Sequence, residues 1–496
     1  MKLLPRTFCA VALTLSLNAV ASPVKHVLMV SVDGMHALDL LNYTSAHPHS
    51  VLAGLAVNGI EYTSAHTPQP ADSFPGLLAL TTGGTPGVTG VYYDETYARR
   101  LSPPGSHCDH TGTEVVYDSS VDDPTAKLGE SKLAPSKLPR DPNGCQPVYP
   151  HAYLRVNTIF EVARKAGGYT AWIDKHPVYE ILQGPSGKGV DDLYTPEIGE
   201  NFEGKSDQHA DKIMRTIAGT EHYDASKVDA LINEIDGRTH DGANKAPVPT
   251  IFGLNLQEVN VAQKLAGYRN AQGMPTRGLE TALDDIDSEF GRIVSTLSQN
   301  HLLDSTLIIV TAKHGNDPID PALIRHVDKK FLKNVVEKDA HGGLAKITTD
   351  QVALIWLKDS MDAKKVARKL EKKRKRLGIS SILYGNSLAL HFPLPDSDSR
   401  TPDIVLVPER GVIYAKAGDG KKAEHGGFDE DDTNVALILS NPSLHARIVR
   451  IPVATTEVAP TILASLGLAP DSLMAVKKEG TPVLPGEDWE KLAGKP

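Results

Sequence analysis

Four short motifs place chemistry-bearing side chains where an enzyme built on a sheet would use them. Asp33 closes Ser31-Val32-Asp33-Gly34, at the end of the apolar run Val27–Val32. Ser73 sits in Ala71-Asp72-Ser73-Phe74-Pro75-Gly76, ahead of a small-residue helical stretch, Leu77–Gly83. His314 stands in Ala312-Lys313-His314-Gly315-Asn316, directly after the apolar run Leu307–Thr311. His425 begins His425-Gly426-Gly427-Phe428-Asp429-Glu430-Asp431-Asp432, ahead of Val435–Leu439. Taken singly, each has an ordinary explanation as a turn aspartate, a helix-capping serine or a structural histidine. Their common position beside strand ends outweighs that, because open α/β sheets bind ligands at the carboxyl ends of their strands. A serine at a helix N-terminus lies beside free N–H groups and the positive end of the helix dipole. Those stabilise an alkoxide nucleophile and a bound phosphoryl or sulfuryl group. Histidine and aspartate are ligands for zinc or manganese.

The elements that must position these residues are legible from hydrophobic patterning. Short apolar runs at Val27–Val32, Tyr169–Ile173, Thr250–Leu254, Leu307–Thr311, Val352–Trp356 and Val435–Leu439 alternate with helical patterns. That alternation predicts an α/β fold with a mostly parallel sheet and crossover helices. Leu279, Leu283, Ile286, Phe290, Ile293 and Leu297 recur at steps of four and three, which predicts one buried helical stripe. Residues 99–151 are rich in Pro, Gly, Ser and Asp and lack periodicity, so they read as a long excursion from the sheet. Residues 341–415 read as a smaller inserted region. Within it, Lys364–Arg376 is dense in Lys and Arg, with Val366, Leu370 and Leu377 as an apolar stripe and Gly378 as the stop. We read it as a surface helix with a solvated basic face.

The N-terminus predicts export. Lys2 and Arg6 precede the apolar run Phe8–Leu17, and Ala19-Val20-Ala21 supplies a small-x-small cleavage site, so residues 1–21 read as a signal peptide. The run is too short to span a bilayer, no later segment is long enough, and no membrane span is expected. Of three cysteines, Cys9 leaves with the leader. Cys108 and Cys145 form an even pair in an oxidising compartment, where a disulfide is expected. The net charge of −9 argues against a general nucleic-acid binder, and no duplex partner is expected.

Together the motifs resemble the alkaline phosphatase superfamily, and within it the type I phosphodiesterase/nucleotide pyrophosphatase branch. The order agrees: strand–Asp–Gly, Ser or Thr before Phe-Pro at a helix start, a strand ending in His-Gly, and a late His-Gly. The run Thr456-Glu457-Val458-Ala459-Pro460-Thr461-Ile462-Leu463 is similar to the superfamily's closing helix. The resemblance spans about Val27 to Leu468. It implies a three-layer, alkaline-phosphatase-like sandwich over residues 22–496 and a metal-dependent hydrolase of phosphoric esters, with diester or nucleotide-type small molecules as substrates. It makes Ser73 the covalent nucleophile, where most of the branch has Thr. Asp33, His314 and His425 become ligands of one or two divalent ions, zinc foremost.

The chain also departs from the pattern. The family's Ser-Asp-His-Gly reads Ala312-Lys313-His314-Gly315, so a lysine replaces a metal-binding carboxylate. The family's Glu-Pro-Asp-x-x-Gly-His corresponds to Gln257-Glu258-Val259-Asn260-Val261-Ala262-Gln263, in which Val259 cannot ligate and Gln263 is a poor substitute for His. The family's phosphate-binding Asn is not evident near Tyr92-Tyr93-Asp94. A reduced metal site is therefore expected. Lys313 and Lys175, the latter in Asp174-Lys175-His176, would supply positive charge, and Asp431 and Asp432 are candidate replacement ligands. Two other readings follow from the same residues. One is a sulfate-ester or phosphonate hydrolase on this scaffold, although Ser73-Phe74-Pro75 lacks the Arg of the sulfatase motif. The other is a secreted binding protein that lost the chemistry, which Val259, Gln263 and Lys313 would suit.

Overall fold

The computed structural model describes residues 23–123, 125, 132–198, 201–202, 205–209 and 215–494. The expected leader, residues 1–21, lies outside the described residues. Eight strands make the central sheet. In chain order they are β1 (His26–Val32), β2 (Gly59–Tyr62), β3 (Ala171–Ile173), β4 (Asp192–Tyr194), β5 (Ile251–Leu256), β6 (Thr306–Thr311), β7 (Leu437–Ser440) and β8 (Arg447–Val449). Their spatial order is β8-β2-β7-β6-β1-β5-β3-β4. From β6 to β4 every neighbouring pair is parallel. β7 runs antiparallel to both β6 and β2, and β8 is parallel to β2. The fold is mixed α/β on a mostly parallel sheet.

The inner strands β1, β5 and β6 are mostly apolar because both sheet faces are covered. Along β1, Val27 and Met29 enter one core and Leu28, Val30 and Val32 the other; β6 divides Leu307 and Ile309 from Ile308 and Val310 in the same way. The first core receives α1 (Ser73–Thr82) and the closing helix Val458–Ser465. The second receives α2 (Ile217–Ile235) and α4 (Arg277–Gln299), with α3 (Glu258–Leu265) at the end of β5. The stripe predicted on α4 is buried at all six positions.

Two of the six predicted strands need correction. Ala353–Leu357 is a strand, but it belongs to a separate antiparallel sheet with Leu344–Thr349, Ile379–Tyr384 and Ile404–Pro408. Val435–Leu439 is split. Asn434–Val435 pairs with Ala65–His66, and only β7 joins the central sheet. Apolar runs of five residues fit a separate sheet or a central one equally well, so pattern alone could not assign them. On the inserted sheet, helices Ala363–Glu371 and Arg374–Leu377 bury Val366, Leu370 and Leu377 and expose Lys364, Arg368, Lys369, Lys372 and Lys373. Gly378 ends the second helix at φ 60°, where the left-handed backbone favours glycine.

The 99–151 segment includes the turn and second strand of a hairpin, Glu95–Ala98 with Thr113–Val116, and carries a Cys108–Cys145 disulfide across 37 residues. Replacing both cysteines with serine is expected to lower stability by about 2–4 kcal/mol, read as a lower denaturant midpoint without reductant. Among the described residues no helix is long and apolar enough to cross a membrane.

Candidate active site

Parallel register brings the predicted residues to one edge. Ser31 is level with Asn255 on β5 and with Thr311 on β6. Asp33, Gln257 and Lys313 therefore leave the sheet side by side, two residues later. β3 ends at the same edge, since Ile173 pairs with Leu254, and it delivers Asp174 and Lys175. β7 is antiparallel and starts there, so the His425 segment arrives from the opposite direction. The Ser73 segment is tied to that of His425: Ala71 N–H donates to Gly427 O at 3.0 Å, and Gly426 N–H donates to Ala71 O at 3.0 Å.

Ser73 is the first residue of α1, capped by the Asp72 carboxylate, which accepts from Phe74 N–H. The helix start packs directly on the Lys313 backbone. A Cβ at Gly76 would stand 2.0 Å from Lys313 O. Gly76→Ala is therefore expected to push Ser73 away from the end of β6. We expect a folded but destabilised protein, by about 1–3 kcal/mol, with kcat reduced more than KM is raised.

Ser73 Oγ lies 3.2 Å from His314 Nε2. His314 is wholly buried, and its Nδ1 is 3.0 Å from Gly315 O. That carbonyl can only accept, so Nδ1 carries the proton and Nε2 presents a lone pair to Ser73. Burial first, then Lys313, pushes the His314 pKa down to about 4 despite the nearby Asp33, so the ring is neutral at physiological pH. Ring stacking places His425 against it, with centroids 3.8 Å apart. Burial, and then His314, holds His425 well below the usual imidazole range.

Asp33 is 1% exposed and uses its two oxygens differently. Oδ2 accepts from Asn255 Nδ2 at 2.9 Å and faces Lys313 Nζ at 3.3 Å. Oδ1 accepts no hydrogen bond and lies 4.0 Å from His314 Nε2. Burial alone would raise this carboxyl, but Lys313 first, then His314, Lys175 and Asn255, bring it down to about 2. Lys313 is wholly buried, donates to Tyr179 OH at 3.2 Å and sits over that ring, 5.1 Å from its centroid. Lys175 is half-buried. Burial lowers its pKa, Asp33 opposes that shift, and Lys313 adds to it.

This geometry is a carboxylate, a neutral imidazole and a serine hydroxyl converging beside two ammonium groups. A family model, type I phosphodiesterase / nucleotide pyrophosphatase, matches residues 27–429. The chain belongs to this family. As a member of it, the chain is a phosphoester hydrolase. Among solved structures it is similar to an inactive murine ectonucleotide pyrophosphatase / phosphodiesterase 5 in complex with AMP. That match has a TM-score of 0.58 at 14% identity, over 94% of this chain and 99% of that one. It is also similar to a mutant of the alkaline phosphatase PafA, with a TM-score of 0.63 at 14% identity over 90% and 96% of the two chains. Both show the alkaline-phosphatase-like fold. No curated protein sequence matches significantly.

The family's two-ion arrangement can be tested against the residues present. At one position the donors do not fit. Val259 packs in the apolar core. Asn316 Nδ2 donates to Asn260 Oδ1 at 3.0 Å and to Gln263 Oε1, while Gln263 Nε2 donates to Gly34 O at 2.8 Å and Asp39 Oδ2 at 3.0 Å. His425 Nδ1 lies 3.3 Å from Asn316 Oδ1. A closed, hydrogen-bonded amide cluster, anchored on the Asp39 carboxylate, takes the place of the donors that the family pattern would supply. At the other position the donors fit one ion: Asp33 Oδ1 is unpartnered, His314 Nε2 has a free lone pair, and Ser73 Oγ is adjacent.

Asp431 is engaged elsewhere, and among the described residues Asp432 makes no hydrogen bond or ion pair with this group. Asp431 is held by Arg410 Nε at 3.0 Å and Nη2 at 2.7 Å, and it accepts from Ile319 N–H at 2.9 Å. Asp432 is buried with neither oxygen hydrogen-bonded; burial, then Asp317 and Asp429, raises it well above the carboxylate range. Sequence reasoning missed Asn255, Tyr179, Asp72 and Asn316. Asn255 left a usable signal, as the lone polar side chain in the apolar strand Ile-Phe-Gly-Leu-Asn-Leu. Tyr179 left none, since it comes from a short 3-10 turn, Pro177–Gln183, distant in sequence.

Proposed function

We propose that the chain is an exported phosphodiester or nucleotide-type hydrolase that uses Ser73 as nucleophile beside a single divalent ion. The observation that carries this reading is the contact of Ser73 Oγ with the unprotonated Nε2 of His314, at the start of α1 and beside Lys313. Asp33 Oδ1, His314 Nε2 and Ser73 Oγ would hold the ion. When bound, it lowers the pKa of the serine hydroxyl and offsets charge on the phosphoryl oxygens. Zinc suits this mixed N/O donor set.

The chain's own residues account for the remaining steps. The positive end of the α1 dipole draws a phosphoryl oxygen in front of Ser73. Ser73 Oγ attacks phosphorus, its proton leaves toward solvent or the leaving oxygen, and the alcohol or nucleoside portion departs. Lys313 and Lys175 face the equatorial oxygens, where negative charge accumulates. Water then attacks the phosphoseryl group and regenerates the hydroxyl. Asn255 and Lys313 fix Asp33 so that its second oxygen stays directed at the site. Export is supported by the N-terminal charge and apolar pattern and by the Cys108–Cys145 bridge.

The direct test is acid quenching during turnover of a chromogenic phosphodiester, followed by peptide mass spectrometry. The Ser73 peptide is expected to carry the phosphoryl adduct. Burst-phase release of the alcohol with an adduct on another residue, or on none, would overturn the nucleophile assignment.

A further inference from the structure

Three carboxylates that take no part in this site meet where α2, α3 and α4 come together. Glu221 is on α2, Glu258 is the first residue of α3, and Asp285 is on α4. One oxygen from each lies within 4.8 Å of the other two. Glu258 is only 1% exposed, and its Oε1, like Asp285 Oδ2, is buried and accepts from no N–H or hydroxyl donor; the two carboxyl groups lie within hydrogen-bonding reach of each other. Among the described residues no Lys or Arg forms an ion pair with any of the three. The one buried ammonium nearby, Lys227, is taken by Asp224 at 2.8 Å and by the Asn255 carbonyl. Asp224 in turn accepts from Gln257 and Glu258 N–H at 2.6 and 2.8 Å, which fixes the start of α3 and aims Glu258 into the cluster.

A buried carboxylate with an unsatisfied oxygen, facing two more carboxylates, is costly unless something positive sits among them. We infer that Glu221, Glu258 and Asp285 form a site for a hard divalent cation, calcium or magnesium, that ties the three helices together. The donors are all oxygen, which suits these ions over zinc. Glu221 is exposed, so the site is open on one side to water ligands. Without a cation, the same geometry requires a proton on Glu258. Burial, then Asp285, Asp224 and Glu221, pushes its pKa up to about 10. Cation and proton are therefore the two ways of settling this cluster, and they make opposite predictions.

The site matters to the chemistry at one remove. α3 also carries Asn260 and Gln263, whose amides hold Asn316 beside His425. Pinning the first turn of α3 fixes those amides.

The test uses the full chain, stripped with chelator and then titrated with calcium or magnesium chloride by calorimetry, alongside thermal melts. One ion is expected to bind and raise the melting temperature. Glu221→Gln, at an exposed position, is expected to weaken that binding by at least about tenfold. Glu258→Gln is expected to abolish it while leaving the melting temperature in chelator close to that of the wild type, since the amide replaces a carboxyl that is protonated when no cation is bound. Asp33→Asn is expected to leave calcium binding intact. Absence of any calcium or magnesium response in the folded wild type overturns the proposal in favour of the shared proton. A response lost in Asp33→Asn but kept in Glu258→Gln also overturns it, because the ion then belongs to the Ser73 site.

Discussion

Ser73→Ala is expected to lower kcat toward a chromogenic phosphodiester by at least about a thousandfold, with KM changed only a few-fold. The hydroxyl is the group that the helix start and His314 address, and alanine keeps the fold while removing it. Asp72 caps α1 from the preceding position, so the helix does not depend on Ser73 for its cap. The companion variant Ser73→Thr keeps a hydroxyl at the same carbon and is expected to retain measurable turnover. Steady-state kinetics on the three proteins at matched metal content decide the matter. Equal kcat in Ser73→Ala and wild type would remove Ser73 from the mechanism.

The second large effect is expected at Lys313. Lys313→Met fills a similar volume but removes the ammonium paired with buried Asp33 and leaves only the more distant Lys175. Breaking one partner of such a pair costs about 3–5 kcal/mol, so the variant is expected to melt well below the wild type. Loss of the charge facing the phosphoryl oxygens is expected to cost at least about a hundredfold in kcat/KM as well. Lys313→Asp separates the two roles. It restores the carboxylate found in the family's Ser-Asp-His-Gly, so it is expected to bind a divalent ion more tightly than wild type and to melt higher when zinc or manganese is added. A Lys313→Met enzyme with wild-type turnover would show that the lysine only fills the pocket.

The fold was largely readable because its signals are local. Both sheet faces are covered, so β1, β5 and β6 are mostly apolar runs, and α4 shows a clean 3.6-residue stripe. Asp33, Ser73, His314 and His425 were readable for the same reason: each sits a fixed step from the end of an element that pattern reveals. What pattern could not reveal is where a side chain ends up once several segments meet. Asp431 lies six residues from His425, yet Arg410 holds it. The short strands β2, β4 and β8 carry too few residues for a period to emerge. The exchange of metal ligands for a closed amide cluster was visible as missing residues. Its hydrogen bonds depend on Asn316 and Asn260, which are unremarkable in sequence.

The position of β7 bears on how the molecule comes to exist. It lies between β2 and β6, both of which are made long before it. While the chain emerges from a ribosome or a membrane pore, the growing sheet lacks a middle strand, and two apolar strands present bare edges until residue 440 arrives. Unpaired edges of that kind invite pairing with other chains. The serine, already in place near the N-terminus, stays without His425 for the same interval. A chain cut short before this late strand would therefore be both inert and prone to aggregate, and the enzyme can become active only once nearly all of it has been delivered.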